Sequence, residues 1–384
     1  MIIGTPTEVK HDEGRVGLTP ACVAELVQAG HIVLVQSNAG RKACFFNDEY
    51  AQKGAKIVET AAEIYAQADM IVKVKEPQPE EWKMIRSGQV IFTYFHFCAD
   101  KGLTDAMVNS GAVCISYETV QKDGRLPLLE PMSEVAGKMA VQCGAHFLET
   151  PFGGSGILLG GMPGVRRGRI LVIGGGVVGS NAAIVGAGMG AEVVIMDKSI
   201  DRLRVLESIM PPNVSTRYSC EEALLEELPR CDLLVGAVLL VGCKAPKVVR
   251  KDHLKLMQPG SVIVDVAVDH GGCVETTRVT RHGDPVYKVD GVLHYGVPNM
   301  PAAVSKTSTL ALTNSTLPYV LRLANMGWLR ACLSDSSLML GLNIAEGAVL
   351  HSGIADAFGL QSVPVSEFLE KRSSPKKEFI SRDQ

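Results

Sequence analysis

At 384 residues, with 46% hydrophobic residues, 21% charged residues and 39 glycines, the chain is long enough for two domains with full cores and fits a globular α/β protein, not a disordered or fibrous one. A net charge of -3 leaves no overall basic field, so neither nucleic acid nor an anionic membrane surface is expected as a partner. The 10 cysteines include no C-x-x-C pair and no dense spacing, and neither a signal pattern nor a membrane-spanning run is evident, so reduced thiols and a cytoplasmic location are expected.

In chain order, β-rich runs at 1–3, 31–36, 69–75, 89–95 and 112–118 alternate with helical patterns at 19–29 and 100–110, the rhythm of a parallel sheet covered on both faces. Pro127 and Pro131 punctuate the chain, after which Ser133 is predicted to cap a long helix reaching about residue 149. Beyond a glycine-rich loop at 153–164, strands predicted at 169–173, 191–197, 214–218, 231–238 and 261–268 describe a second doubly wound domain. Helices are predicted at 310–326, with Pro318 kinking or interrupting the first, and at 337–350; with no new strand series they are expected to pack back onto the first domain. The polar segment 371–384 is expected to be a flexible tail.

The apolar run Arg169-Ile-Leu-Val-Ile173 leads into Gly174-Gly-Gly176-Val-Val-Gly179, a G-x-G-x-x-G pattern between a strand and a helix. Gly174 permits the tight turn, Gly176 lets the backbone approach a pyrophosphate, and Gly179 lets the helix lie close to the strand. The helix N-terminus supplies N–H groups and a positive dipole end to the phosphates. The next predicted strand ends on Asp197, where an acid grips ribose hydroxyls and favours NAD over NADP, although Lys198 and Arg202 nearby leave a 2'-phosphate conceivable. A ligand-free glycine turn is the competing reading, weakened because strand, helix and acid are all in place.

Arg15, Lys75, His96 and Asp269 each fall at the C-terminal end of a predicted strand, the edge where open α/β sheets hold ligands, and are candidates for a common cleft. Read singly, each has a plainer alternative: a surface ion pair for Arg15, a salt bridge with Glu76 or a neighbouring acid for Lys75, a structural hydrogen bond for His96, and a helix or turn cap before Gly271-Gly272 for Asp269. Asp269-His270 with Cys273 has no second cluster at metal-ligand spacing, so no metal is expected.

Ordered blocks run along residues 1 to 365: Gly4-Thr-Pro-Thr-Glu8 with Arg15-Val, Lys73-Val-Lys-Glu-Pro77, Phe95-His96, Tyr117-Glu-Thr-Val120, Pro131-Met-Ser-Glu-Val-Ala-Gly137, Val264-Asp-Val-Ala-Val-Asp269 with Gly271-Gly272, and Val297-Pro-Asn-Met-Pro301 with Lys306-Thr-Ser-Thr. Together they resemble the family of alanine dehydrogenases and the dinucleotide-binding portion of proton-translocating transhydrogenase. The resemblance implies two Rossmann-like domains, a substrate domain from 1–128 and 305–370 with an NAD-binding domain, 129–304, inserted into it. It further implies NAD-dependent oxidative deamination of L-alanine to pyruvate and ammonium, and the reverse, in a homohexamer. His96 and Asp269 are then the catalytic residues, and Arg15 and Lys75 bind the substrate. The cofactor set becomes Ser133, Gly174, Gly176, Val177, Val178, Gly179, Asp197, Arg202, Ser219, Val238, Leu239, Val266, Ala267, Val268, Asp269, Asn299 and Met300. The rival readings are a transhydrogenase-type subunit and a catalytically dead NAD-binding protein. A related amino acid, glyoxylate and a saccharopine-type substrate remain open.

Overall fold

A computed structural model describes residues 1–238 and 245–373, His270 without its side chain. Leu239 and residues 374–384 of the predicted tail lie outside the described residues. The chain divides into two compact units, Met1–Pro131 with Ser305–Gln384, and Met132–Val304.

In the first unit the strands are β1 Ile2–Thr5, β2 Ile32–Gln36, β3 Lys56–Val58, β4 Met70–Val72, β5 Val90–Thr93 and β6 Val113–Ser116. In the second they are β7 Arg169–Ile173, β8 Glu192–Asp197, β9 Val214–Tyr218, β10 Leu233–Gly236, β11 Val262–Asp265, β12 Val286–Val289 and β13 Val292–Tyr295. Two more, β14 Leu342–Ala345 and β15 Ala348–Val349, return to the first sheet, whose order is β15-β14-β6-β5-β4-β1-β2-β3. The second sheet runs β12-β13-β11-β10-β7-β8-β9. Leaving aside the antiparallel β12, β14 and β15, each sheet has the 3-2-1-4-5-6 order of a doubly wound fold, with its reversal between β1 and β4 or between β7 and β10. Strands that are buried on both faces, such as Val90–Thr93 and Val262–Asp265, explain the apolar runs.

Local chemistry sets the element ends. Thr19 caps the helix Pro20–Gln28 by accepting from Cys22 N–H at 3.3 Å, with proline at the first helical position. Asp100 caps Lys101–Ser110, and left-handed Gly111 ends it.

Three expectations are corrected. Ser133 is not a cap: the helix runs Glu130–Phe147, because Leu126 O already accepts from Glu130 N–H at 3.0 Å, which puts Ser133 inside the first turn. Pro318 does not interrupt its helix, which runs Ser305–Met326 and is held by a buried face that includes Leu312, Thr316, Val320 and Leu323. The segment 337–350 is not one helix: helix ends with Ser336–Gly341, and the apolar residues after it form β14, fully buried against β6, and β15.

Where β1 and β4 diverge, the first unit buries charge. Lys73, fully buried, stands 2.8 Å from Glu81 Oε1 and 3.3 Å from Glu8 Oε2. Tyr65 Oη donates to Glu81 at 3.0 Å, and Glu8 Oε1 accepts from Val74 N–H at 2.6 Å. Burial pushes the Glu8 carboxyl up to about 7 in spite of Lys73. Removing the cation strands two buried carboxylates, so Lys73→Met is expected to cost about 3–5 kcal/mol of stability, read as a lower midpoint in urea denaturation; an unchanged midpoint would contradict the pairing.

Candidate functional site

In the first unit, the segment after β1 carries Arg15, which is buried, so the pair foreseen for it lies inside the protein. Glu13 accepts from its Nε at 2.7 Å and its Nη2 at 2.6 Å, fixing the guanidinium plane. Lys75 follows β4. The predicted alternative, a salt bridge with Glu76, does not form: Glu76 pairs with Lys10, and Lys75 Nζ donates to no described residue. Burial, then Arg15 and Lys10, hold Lys75 below the ordinary lysine range, the signature of a cation left without a full complement of anions.

His96 follows β5, is exposed, and has φ 52 and ψ 39, the left-handed region. Its ring lies parallel to that of Tyr94, with centroids 6.0 Å apart. Tyr94 also senses the charges of Arg15 and Glu118, so Arg15, Lys75, Tyr94 and His96 belong to one neighbourhood at the carboxyl ends of β1, β4 and β5. A cationic, partly buried edge with a titratable imidazole beside it suits a small carboxylate that gains or loses a proton.

In the second unit, Gly174 has φ 100, and a Cβ there would meet Ala237 O at 2.6 Å and Val238 N at 3.2 Å. A Cβ on Gly179 would overlap Gly174 O, so the helix Val177–Gly188 starts hard against the end of β7. At Gly176 nothing lies within 4 Å of a Cβ, which leaves open space over the helix N-terminus made by Gly176, Val177 and Val178. Gly137 touches Val178 O so closely that a side chain there would overlap it. Ser133, one turn before Gly137, therefore shares the face that meets this N-terminus, and its hydroxyl bonds to no described residue.

Asp197, at the end of β8, accepts from Gly175 N–H at 2.7 Å and Ser199 N–H at 2.8 Å. Arg202 Nε donates to Gly175 O at 2.5 Å, and Ser219 N–H to Asp197 O at 2.9 Å, so all three gather at the glycine loop and the edge of β9. Beyond β11, Val266, Ala267, Val268 and Asp269 form a 3-10 turn rather than the strand expected. The cap role considered for Asp269 belongs to buried Asp265, which accepts from Ala267 N–H at 3.2 Å and Thr277 Oγ1 at 2.6 Å. Asp269 is exposed and accepts from Asn299 N–H at 3.2 Å; Asn299 is itself left-handed, with φ 51, and is followed by buried Met300.

Among the described residues no group of three or more His, Cys, Asp or Glu is arranged to hold a metal, and no helix is long and apolar enough to cross a membrane. Glu8, Glu13 and Gly137 were not singled out as site residues from the sequence. The i, i+2 spacing of Glu13 and Arg15 was the available signal for one; the others act through contacts distant in sequence.

Comparison with known proteins gives the same outline. The family model described as alanine dehydrogenase/PNT, N-terminal domain, matches residues 4–136, and its C-terminal counterpart matches 140–352. The chain is similar to an alanine dehydrogenase from Halomonas elongata, 49% identical over 370 residues that cover 96% of this chain and 100% of that protein. It is also similar to one from Bacillus subtilis, 48% identical over 375 residues that cover 97% and 99%. A solved L-alanine dehydrogenase matches with a TM-score of 0.91 at 47% identity, covering 94% of this chain and 99% of that one.

The two glycine environments make separable predictions. Gly176→Ala should leave the unfolding temperature unchanged yet weaken dinucleotide binding in a titration, whereas Gly179→Ala should lower the unfolding temperature because the helix must move. Equal behaviour of the two variants would contradict these assignments.

Proposed function

The chain belongs to the alanine dehydrogenase/PNT family, and on that premise we propose how its own residues carry the reaction. It is an oxidoreductase that converts L-alanine and water reversibly to pyruvate and ammonium. What supports the assignment of roles is the neighbourhood of Arg15, Lys75, Tyr94 and His96 on one unit and the open glycine cradle at Gly176 on the other.

Arg15 binds the substrate carboxylate, with Glu13 holding the guanidinium in orientation. Lys75 adds a second positive contact to the carboxylate or, from the pyruvate side, to the keto oxygen. His96 takes up the proton released as water adds to the substrate iminium and returns one in the reverse direction. Asp269 orients water or ammonia and stabilises the positive charge on the iminium nitrogen.

The residues of the second unit fit a dinucleotide: a helix N-terminus with open space at Gly176, an acid at the end of β8, and the Ser133 hydroxyl on the facing helix. A bound nicotinamide would supply the hydride acceptor for the alanine Cα–H, with the reduced nucleotide and a proton as the remaining products. Asp197, Arg202 and Ser219 hold the adenosine side, and Val238, Val266, Ala267, Val268, Asn299 and Met300 the nicotinamide side. Leu239 belongs to the same proposal. NAD rather than NADP is the cofactor, because the Asp197 carboxylate opposes a 2'-phosphate and Arg202 is turned to the Gly175 carbonyl. The active form is a cytoplasmic homohexamer, in which exposed Cys44, Cys98 and Cys220 stay reduced.

L-alanine should drive NADH formation, with NADP at least about tenfold poorer; folded protein that reduces neither nucleotide would overturn the assignment. His96→Ala and Asp269→Asn should each lower kcat by about 10²–10⁴-fold while NAD still binds, and unchanged turnover would remove either residue from its role. Because Lys75 is held below 10.5, it loses its charge at lower pH than an ordinary lysine. kcat/KM for pyruvate should therefore fall on the alkaline side, with Lys75→Arg moving that fall to higher pH; an unmoved limb would assign it to another group.

A further inference from the structure

We propose that Glu118 is the positioning residue of His96: its carboxylate holds the histidine in the left-handed backbone conformation that fixes where the imidazole is presented. At φ 52 and ψ 39 a side-chain-bearing residue occupies a sparsely populated region whose free-energy cost its surroundings must offset. Just past the end of β5, Tyr94 N–H still donates to Val74 O at 3.3 Å. The next two amides go to one carboxylate: Glu118 Oε1 accepts from Phe95 N–H at 3.0 Å and from His96 N–H at 2.5 Å, and Oε2 accepts from Phe95 N–H at 3.2 Å. An ionised acceptor bonds such amides more strongly than a carbonyl does.

Glu118 is itself anchored. It lies in the turn Tyr117–Thr119 that follows β6, the neighbour of β5. The next residue, Thr119, exchanges hydrogen bonds with buried Asn343 of β14, its Oγ1 lying 3.2 Å from Oδ1 and 3.0 Å from Nδ2. On the other side, the His96 ring lies over Tyr94, whose hydroxyl donates to Leu128 O. Tyr94, Cys98 and His351 also sense the charge of Glu118. If the two amides lost their acceptor, His96 would relax toward ordinary φ values and carry its ring away from Tyr94, with β5 and β6 undisturbed.

This inference rests on the reading that His96 moves a proton, and the test separates the two. kcat for alanine oxidation is measured on the full chain for Glu118→Ala, Glu118→Gln, His96→Ala and the double variant His96→Ala/Glu118→Ala, with NAD affinity measured alongside. Glu118→Ala should lose about 10²-fold in kcat, the scale of a misplaced catalytic group, at unchanged NAD affinity. Glu118→Gln, which keeps the Oε1 acceptor, should recover most of that loss. In the His96→Ala background, Glu118→Ala should cost nothing further, because residues that act as a unit are not additive. The same loss in both backgrounds, or none in either, overturns the proposal. A harmless His96→Ala overturns the proton-transfer reading and the positioning role with it. Should Glu118→Ala fail to fold, Glu118→Asp, one methylene too short to reach both amides, takes its place in the same cycle.

Discussion

The first unit depends on a charge that has been taken out of water. Lys73 sits between Glu8 and Glu81 where the sheet order reverses, and its one cation offsets the burial of both carboxylates. The arrangement ties the chain leaving β1 to the chain leaving β4. Glu8 comes from the first, Lys73 from the second, and Glu8 also accepts the Val74 amide. Thr5 Oγ1 donates to Val72 O at 2.9 Å, and Gly17 packs so closely on Val72 O that a side chain there would overlap it. Arg15 and Lys75 ride on these two segments, so the relative placement of the two cations follows from the buried cluster beneath them.

The second unit solves the same topological problem with glycine instead of charge. Gly174 and Gly179 bring the strand end and the helix start into contact, and Gly137 admits a second helix to the same point. These three are fixed by packing, whereas Gly176, at the start of the helix, has open space beside it. The two sheets share a strand order yet present opposite surfaces at their reversal points: buried cations that suit a small carboxylate in one, backbone N–H groups that suit a pyrophosphate in the other.

Sequence reading recovered the elements whose signals are local. The run 169–173, the helix at 100–110 and the alternation of strands and helices are written in neighbouring residues, and the structure repeats them closely. The hairpin β12–β13 was missed although Asp290-Gly291, both at positive φ, is a strong turn signal between apolar runs. The hairpin β14–β15 turns on Glu346-Gly347, also at positive φ, where glutamate gives no such signal, and its apolar residues fit a helical period as well as a strand. The site divides in the same way. The glycine motif and Asp197 are contiguous with their strands, but the partners of Arg15, Lys75 and His96 depend on contacts that no period encodes: Glu13 rather than a surface acid, a lysine with no ion pair among the described residues while Lys10 pairs with Glu76, and a carboxylate 22 positions away bonded to the histidine backbone.

The central claim is that this chain takes a hydride directly from the α-carbon of an amino acid held by Arg15 and Lys75. The most direct measurement follows the label from L-alanine deuterated at Cα, with the reduced nicotinamide isolated and weighed by mass spectrometry. The account predicts that the deuterium appears in the reduced nucleotide at one atom per turnover. Deuterium released to water, with unlabelled NADH formed, would contradict it.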